Sequence, residues 1–401
     1  MDKITATLQL KPKREKPVQN RHPWVFSGAI RQVKGEPQPG DLVEVVAHDN
    51  EWLATGYYNP HSQIRVRLLS WEEADTVDEG WWRGRLAAAL ARREALALAP
   101  ETTAYRLVYA ESDRLPGLVV DGYGDFLVLQ ALTLGIERRK EMVSGLLAEL
   151  LAPAGIVERS DVDVREKEGL AQEKGLLWGE APPEELVVQE HGHRFGVDLM
   201  AGHKTGLYLD QRENRALVGQ RRFLEGKEVL NVFAYSGGFA PYAAAAGARA
   251  IVNLDSSAAA LAQAERNMAL NGYERPDDGY VVGDAFQVLR EYRDSGRQFD
   301  AIILDPPKFA HSRRDVQGAT RGYKDLNWLA FRLLRPGGIL ATFSCSGAIS
   351  ADLFQKVVFG AVVDAERDAQ ILYQMGQAPD HPVLLTFPES AYLKGLLVRV
   401  V

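Results

Sequence analysis

Apolar positions keep three different rhythms along this chain. Over residues 1–75 they form short alternating runs, Trp24-Val25-Phe26, Leu42 to Val46, Trp52 to Tyr57 and Gln63 to Leu69, punctuated by Pro37, Gly40, Asn59 and Pro60. That pattern predicts a small β-rich module. An acidic, turn-like stretch from Trp71 to Gly80 marks a boundary. Helical spacing follows over Trp81 to Ala97, with Trp82, Leu86, Ala89 and Leu90 on one face and Arg83, Arg85, Arg92 and Arg93 largely off it. Strands are expected at Tyr105 to Tyr109, Leu118 to Val120 and Phe126 to Leu132, the last two flanking a hairpin turn at Asp121-Gly122-Tyr123-Gly124. A second helix, Ile136 to Leu151, buries Val143, Leu146, Leu147 and Leu150, and Gly155 to Arg159 returns as a strand. Residues 76–185 therefore read as a small α+β domain, and no catalytic constellation stands out in it.

From Glu190 the rhythm changes again. Leu186 to Gln189 and Arg194 to Leu199 predict a hairpin around His191-Gly192-His193. Apolar strands then alternate with helices. The strands are Glu228 to Phe233, Ala250 to Asp255, Tyr280 to Gly283, Asp300 to Asp305 and Gly338 to Ser344. The helices between them are Gly238 to Ala246, Ala258 to Asn271, Ala285 to Tyr292 and Lys324 to Leu334. Repeated βα units of this kind build a doubly wound parallel sheet. A further helix near Ala351 to Glu366 precedes two strands, Gln370 to Tyr373 and Leu396 to Val401, whose spacing suits an antiparallel edge. Residues 186–401 are thus one α/β domain.

Composition narrows the class. No apolar run reaches the ~18 residues that span a bilayer, and the start, MDKITATLQLKPKREKP, lacks the apolar stretch of a signal peptide. A cytoplasmic protein is expected. One cysteine, Cys345, excludes an internal disulfide and a multi-cysteine zinc site, and no metal is expected. A net charge of -7 argues against indiscriminate coating of nucleic acid. Basic residues are nevertheless crowded at Lys11, Lys13, Arg14, Lys16, Arg21 and His22, which reads either as a solvated segment or as a nucleic-acid face.

In a doubly wound sheet, ligands bind at the carboxyl ends of the strands. The first strand runs into Asn231-Val232-Phe233-Ala234-Tyr235-Ser236-Gly237-Gly238-Phe239, a tight small-residue loop that lacks the dinucleotide glycine pattern. The second strand ends in Asp255, about 20 residues further on, where a carboxylate can accept both ribose hydroxyls of an adenosine ligand. A competing role there is helix capping, open to Asp255, Ser256 or Ser257. The third strand ends in Asp284, beside the expected adenine edge, and the fourth in Asp305-Pro306-Pro307-Lys308-Phe309. Three successive acidic strand ends favour a nucleoside cofactor. Two prolines stiffen the backbone behind Asp305 and remove competing N–H donors, so the loop can present a fixed carboxylate to a flat base.

The fifth strand ends Thr342-Phe343-Ser344-Cys345-Ser346-Gly347, bringing a thiol alongside the Asp-Pro-Pro tip. A lone cysteine is ordinarily a small buried hydrophobe. A thiolate and a carboxylate flanking a methyl donor, however, suit methylation at carbon 5 of a pyrimidine. Addition of sulfur at carbon 6 makes carbon 5 nucleophilic, while Asp305 favours protonation at N3.

The stretches HPWVFSGAI, SDRLPGLVVDGYGDFLVLQ, RSDVDVREKEGL, HKTGLYLDQRENR, LNVFAYSGGFA, DPPKF, RGYKDLN and FSCSG together give a chain that resembles, nearly end to end, the PUA-domain-containing 23S ribosomal RNA cytosine-5 methyltransferases. The resemblance implies a β-rich PUA domain, a small α+β domain and a Rossmann-like class I methyltransferase domain. It implies S-adenosylmethionine as cofactor, S-adenosylhomocysteine as product, 23S ribosomal RNA as partner, no membrane, and a homodimer as one form of assembly. On that analogy Tyr208, Gln211 and Arg212 lie over the cofactor, and Phe233, Ser236 and Gly237 line its methionine and ribose side. Asp255 binds ribose, Asp284 neighbours adenine, and Cys345 is the nucleophile, with Asn231, Tyr235, Ser256, Asn271, Ala285 and Asp305 completing the set. The N-terminal cluster (Lys11, Lys13, Arg14, Lys16, Arg21) becomes an RNA face, and Lys204, Lys308, Arg313, Arg314, Arg321 and Lys324 a basic rim. One departure stands: many cytosine-5 RNA methyltransferases carry a second cysteine beside Asp-Pro-Pro, where this chain has Lys308, so the base that removes the C5 proton is unassigned, bound water being one candidate. Methylation of a base nitrogen without covalent catalysis, and a non-catalytic RNA-binding factor, remain the competing functions; a nicotinamide enzyme is disfavoured by the first-strand loop.

Overall fold

A computed structural model describes residues 3–200, 207–274, 279–310 and 312–401, with the backbone alone at Arg313. The chain divides into two compact units. The first takes most of its residues from Met1–Leu186 and adds Pro379–Ser390; the second holds Val187–Val197, Gly206–Ala378 and Ala391–Val401.

The first unit contains two sheets. Six strands lie in the order Trp24–Phe26, Ile64–Ser70, Trp52–Tyr58, Leu42–Val46, Ile4–Leu10, Ile30–Gly35. The flanking strands Ile4–Leu10 and Ile30–Gly35 were not among those expected; the second is exposed along nearly its whole length and so carries no alternation of buried positions. Five strands form the other sheet, in the order Glu173–Gly179, Gly155–Ser160, Phe126–Ala131, Leu118–Tyr123, Ala104–Tyr109. The hairpin turn sits at Gly124-Asp125, just past the expected place, because Tyr123 already pairs with Phe126. The second expected helix is two pieces, Leu134–Glu137 and Lys140–Leu151. Trp82, Leu86 and Ala89 of helix Glu79–Glu94 pack with Val143, Leu146 and Leu147 into one apolar core shared with Leu42, Tyr57 and Leu69 of the first sheet.

A buried ionic knot closes this unit. Arg67 donates to Glu111 at 2.7 Å and to Glu168 at 2.9 Å. Glu111 also accepts from the Trp24 indole, and Glu168 from Asn59 and Ser62. Burial works against the guanidinium's charge, but the two carboxylates outweigh it and hold its pKa above the ordinary arginine value.

The second unit is built on one sheet of seven strands: β1 (Glu228–Val232), β2 (Ala250–Asp255), β3 (Gly279–Val282), β4 (Phe299–Leu304), β5 (Leu334–Ser344), β6 (Ala369–Gly376) and β7 (Lys394–Val400). Their order is β3-β2-β1-β4-β5-β7-β6. The first five run parallel, and β7 inserts antiparallel between β5 and the edge strand β6. Helices α1 (Ala240–Ala245), α2 (Ala258–Leu270), α3 (Ala285–Asp294), α4 (Val316–Leu333) and α5 (Ala351–Asp364) alternate with the strands. Apolar residues line both faces, with Leu230, Ile302 and Leu340 on one and Val229, Ile303 and Ala341 on the other, as burial on both sides of a parallel sheet requires. The doubly wound architecture read from the alternation is the one observed. No helix among the described residues is long and apolar enough to cross a membrane.

Removing Arg67 leaves two buried carboxylates without their counter-ion. Arg67→Met is expected to destabilise the first unit by about 3–5 kcal/mol, read as a lower urea midpoint with an unchanged slope.

Candidate active site

Register decides where the chemistry emerges. Val232 of β1 pairs with Leu254 of β2 and Leu304 of β4, and Leu304 with Thr342 of β5. At this register β1 and β4 end level, β2 runs one residue further and β5 two, so the loops after them share one edge.

The loop after β1 is held in a strained path. Phe233 and Tyr235 adopt φ of 59° and 48°, and Gly237 a φ of 75°. Left-handed backbone at a non-glycine residue costs energy and concentrates at ligand sites. At Gly237 no side chain fits, since a Cβ would come within 2.7 Å of the Ala264 Cβ on α2. Four hydrogen bonds fix the path: Ala234 N to the Leu254 carbonyl (3.0 Å), Tyr235 N to Asp255 Oδ2 (2.9 Å), Gly237 N to the Ala234 carbonyl (2.8 Å), and Asn267 Nδ2 to the Ser236 carbonyl (2.8 Å).

Asp255 also accepts from Ser257 N through Oδ1 at 2.9 Å. The helix-capping role falls to Ser257, whose hydroxyl accepts from Ala260 N at 3.2 Å, so Asp255 is released from it. Each oxygen of Asp255 keeps a second lone pair for a ribose hydroxyl. Ser256 beside it is exposed. At the β3 tip the capping role is realised: Asp284 accepts from Gln287 N at 3.0 Å at the head of α3, with Ala285 buried behind it.

Two residues of the expected set lie elsewhere. Asn271 caps the far end of α2, where its side chain accepts from Arg194 N and donates to the Arg194 and Asn267 carbonyls. It thereby clamps the hairpin Leu186–Glu190/His193–Val197 to the helix, a full helix length from the strand tips. Asn231 is buried inside β1 and donates to Asn253 Oδ1 on β2 at 3.0 Å. The family resemblance put both in the cofactor set, but neither has a side chain at the tip.

Tyr208, Gln211 and Arg212 arrive from the segment before β1. The Tyr208 ring meets Tyr235 edge-to-face at 5.5 Å. Burial first, then the negative charges of Tyr235, Asp305, Asp210 and Cys345, push its hydroxyl above the usual tyrosine pKa and keep it protonated. Tyr208 is therefore within electrostatic reach of both proposed chemical groups. Gln211 accepts from Asn214 at 2.6 Å, while its own Nε2 is buried without a partner among the described residues, a donor in want of an acceptor. Arg212 is fully buried and donates to Glu213. The segment is anchored by Arg215, which makes a two-pronged ion pair with Glu190 at 2.7 and 2.6 Å and donates to the Tyr208 carbonyl. Strained loop, ribose-ready carboxylate and orphaned buried amide fit an adenosine-bearing cofactor.

The β4 and β5 tips converge as their register requires. Asp305 N reaches back to the Val232 carbonyl at 3.5 Å. The half-buried sulfur of Cys345 lies 4.0 Å from the Pro306 carbonyl oxygen. Ser346 ties the two loops together, its hydroxyl accepting from Ala310 N at 3.2 Å and lying 3.1 Å from the Tyr323 hydroxyl. Lys394 was not foreseen: it opens β7, and its Nζ donates to the Ser346 carbonyl at 2.6 Å and the Ile349 carbonyl at 2.7 Å. A lysine heading the mostly apolar run KGLLVRVV was the signal for it.

Of the basic rim, Lys308 and Arg321 are exposed, and Lys324 is engaged by Asp364 at 2.6 Å. Lys204 lies outside the described residues. In the first unit Lys11, Lys13, Arg14, Lys16 and Arg21 are all exposed along one surface segment. Lys11 reaches the Gly28 carbonyl and Arg21 pairs with Glu72.

Two family models match the chain. One, a PUA-like domain, covers residues 8–71; the other, an S-adenosylmethionine-dependent methyltransferase, covers residues 167–399. The class is therefore an S-adenosylmethionine-dependent methyltransferase joined to a PUA-like domain. Ribosomal RNA large subunit methyltransferase I of Shewanella amazonensis is 51% identical over 397 residues, spanning 99% of this chain and 100% of that one. The same-named protein of Tolumonas auensis is 48% identical over 399 residues, with the same two shares. The chain belongs to the family of ribosomal RNA large subunit methyltransferase I. In fold it also resembles a solved Streptococcus mutans protein provisionally assigned as a methyltransferase, at 22% identity and TM-score 0.85 over 98% of this chain and 99% of that one.

Asp255 is expected to be the most sensitive position for the cofactor. Asp255→Ala should weaken S-adenosylmethionine binding ~10- to 100-fold through loss of charge-assisted hydrogen bonds, measured by titration calorimetry; unchanged affinity removes Asp255 from the site.

Proposed function

We propose that this protein methylates carbon 5 of a cytosine in 23S ribosomal RNA, with Cys345 as covalent nucleophile. The observation carrying this reading is the approach of the Cys345 sulfur to the Asp-Pro-Pro tip, 4.0 Å from the Pro306 carbonyl, on an edge shared with Asp255 and the strained loop. The large-subunit RNA is taken from the printed name of the relatives. Residues 1–75 are proposed as the RNA-binding module, 76–185 as a central domain, and 186–401 as the catalytic domain.

The proposed roles are these. Asp255 holds the cofactor's ribose; Phe233, Tyr235, Ser236 and Gly237 shape the loop around it, and Tyr208 and Gln211 close over it. Asp284 and Ala285 flank the adenine. When bound, the cofactor supplies an electrophilic methyl group on a sulfonium. The Cys345 thiolate adds to carbon 6 of the cytosine, raising electron density at carbon 5, and Asp305 favours protonation at N3 as sulfur adds. Once carbon 5 carries the methyl group, transfer of its proton to water, the candidate base, lets the Cys345–carbon bond break and returns the thiolate. Lys308 and Arg321, both exposed, are proposed to meet phosphates at the mouth of the site.

RNA containing 5-fluorocytidine at the target should form a stable adduct with the protein and not with Cys345→Ala, which should also lose methyl transfer. Retained transfer in Cys345→Ala, with no adduct in the native protein, moves the reaction to a base nitrogen. No transfer at all to RNA from cells lacking the protein points instead to a binding factor.

Reversing the charge of Lys11, Lys13, Arg14 and Lys16 should weaken RNA binding and reduce its salt dependence by about one unit of log–log slope per lost phosphate contact. Affinity unchanged from the native protein at both low and high salt would exclude that face.

A further inference from the structure

The turn that carries Cys345 is gripped by a cation with no carboxylate of its own. β7 lies antiparallel to β5 with Lys394 opposite Ser344, the residue before Cys345. From there Nζ reaches the Ser346 and Ile349 carbonyls, the two shoulders of the turn that follows the cysteine. A partly buried lysine normally sits in an ion pair, yet among the described residues Lys394 makes none with a carboxylate. Two charges act on it: Cys345, whose thiolate favours the ammonium, and the exposed Lys308, which opposes it. Burial first, and Lys308 after it, bring Lys394 down to about 8, so amine and ammonium are both accessible near neutral pH. The other groups facing the sulfur are poorly suited to accept its proton. Tyr208 and Tyr323 both feel the Cys345 charge, and both hydroxyls are held protonated, chiefly by burial. Asp305, on the neighbouring tip, is a carboxyl group and offers no positive charge to a thiolate.

We infer that Lys394 is a positioning residue for the methyl transfer: it fixes the Cys345 turn through two carbonyls and supplies the counter-charge that holds the sulfur as thiolate. This rests on Cys345 being the nucleophile. The step is a proton transfer only. The S–H bond of Cys345 breaks and the proton leaves to water, while the Lys394 ammonium, with two of its three N–H donors on the carbonyls, stabilises the charge left on sulfur. A thiol made nucleophilic by a neighbouring cation is an ordinary way to lower its pKa, and here the cation comes from the antiparallel strand that inserts between β5 and the edge.

The chain has one thiol, so iodoacetamide alkylation reports Cys345 alone. Its rate as a function of pH is measured on the full chain, native and with Lys394→Met or Lys394→Arg. The alkylation midpoint should rise by about one pH unit or more in Lys394→Met, roughly a tenfold slower reaction at neutral pH, and stay near the native value in Lys394→Arg. Lys394→Gln, which keeps an N–H donor for the carbonyls without the charge, replaces the methionine variant should that one not fold. An unshifted midpoint in a folded, cofactor-binding Met or Gln variant overturns the counter-charge role. Alkylation needs no RNA, so the two claims fail separately: an unshifted midpoint removes Lys394 while the 5-fluorocytidine adduct stands, and loss of the adduct in the native protein removes the nucleophile and the role of Lys394 with it.

Discussion

The parallel register that brings the ends of β2, β1, β4 and β5 to one edge is the constraint on which the rest of the second unit depends. Parallel pairing from Val232 through Leu254, Leu304 and Thr342 fixes how far each strand runs before its loop begins. A slip of one residue in β5 would turn every side chain of that strand to the opposite face. Cys345 would then be carried away from the Pro306 carbonyl, and Ser346 would lose both Ala310 and Tyr323. Apolar burial on both faces of the sheet makes such a slip costly, so the core that stabilises the domain also aligns its reactive edge.

Energy invested in stability is spent locally at that edge. Phe233 and Tyr235 in left-handed backbone cost of order 1–3 kcal/mol each. Backbone hydrogen bonds to Leu254 and Asp255, and the Asn267 amide on the Ser236 carbonyl, hold the loop against relaxing. Asp255 thus has a double task, anchoring Tyr235 N and Ser257 N while offering its remaining lone pairs outward. The Glu190–Arg215 pair does comparable work for the Tyr208 segment: Arg215, itself buried, takes the Tyr208 carbonyl as a further acceptor.

The alternation of strands and helices after Glu190 was legible because each buried strand is a continuous apolar run and each helix repeats at its own period. The strand tips were legible for the same reason: acidic or small residues follow apolar runs at Asp255, Asp284 and Asp305. Side-chain direction was less so. Asn271 and Asn231 were placed in the cofactor set, but one sits at the wrong end of its helix and the other one residue inside the end of its strand, its side chain on Asn253. Periodicity does not report which end of an element a polar residue serves. Lys394 escaped notice because its partner carbonyls belong to residues far along the chain, brought opposite only by antiparallel pairing. The exposed strand Ile30–Gly35 was invisible because it has no buried side to alternate with.

The first unit is not finished where its sequence first ends. Pro379–Ser390 returns to it, bringing Asp380 to the Arg93 guanidinium and the Arg106 amide, the Ser390 carbonyl to the Tyr109 hydroxyl, and Phe387 to within 4.7 Å of the Trp24 ring. During synthesis these partners leave the ribosome almost last, after the whole α/β sheet except β7. Folding in order of emergence, the usual course for successive domains, would leave Arg93, Arg106 and Trp24 waiting on a distant piece of chain. A fragment cut near residue 186 would lack the same piece, so separate expression of the two halves is not a neutral dissection of this protein.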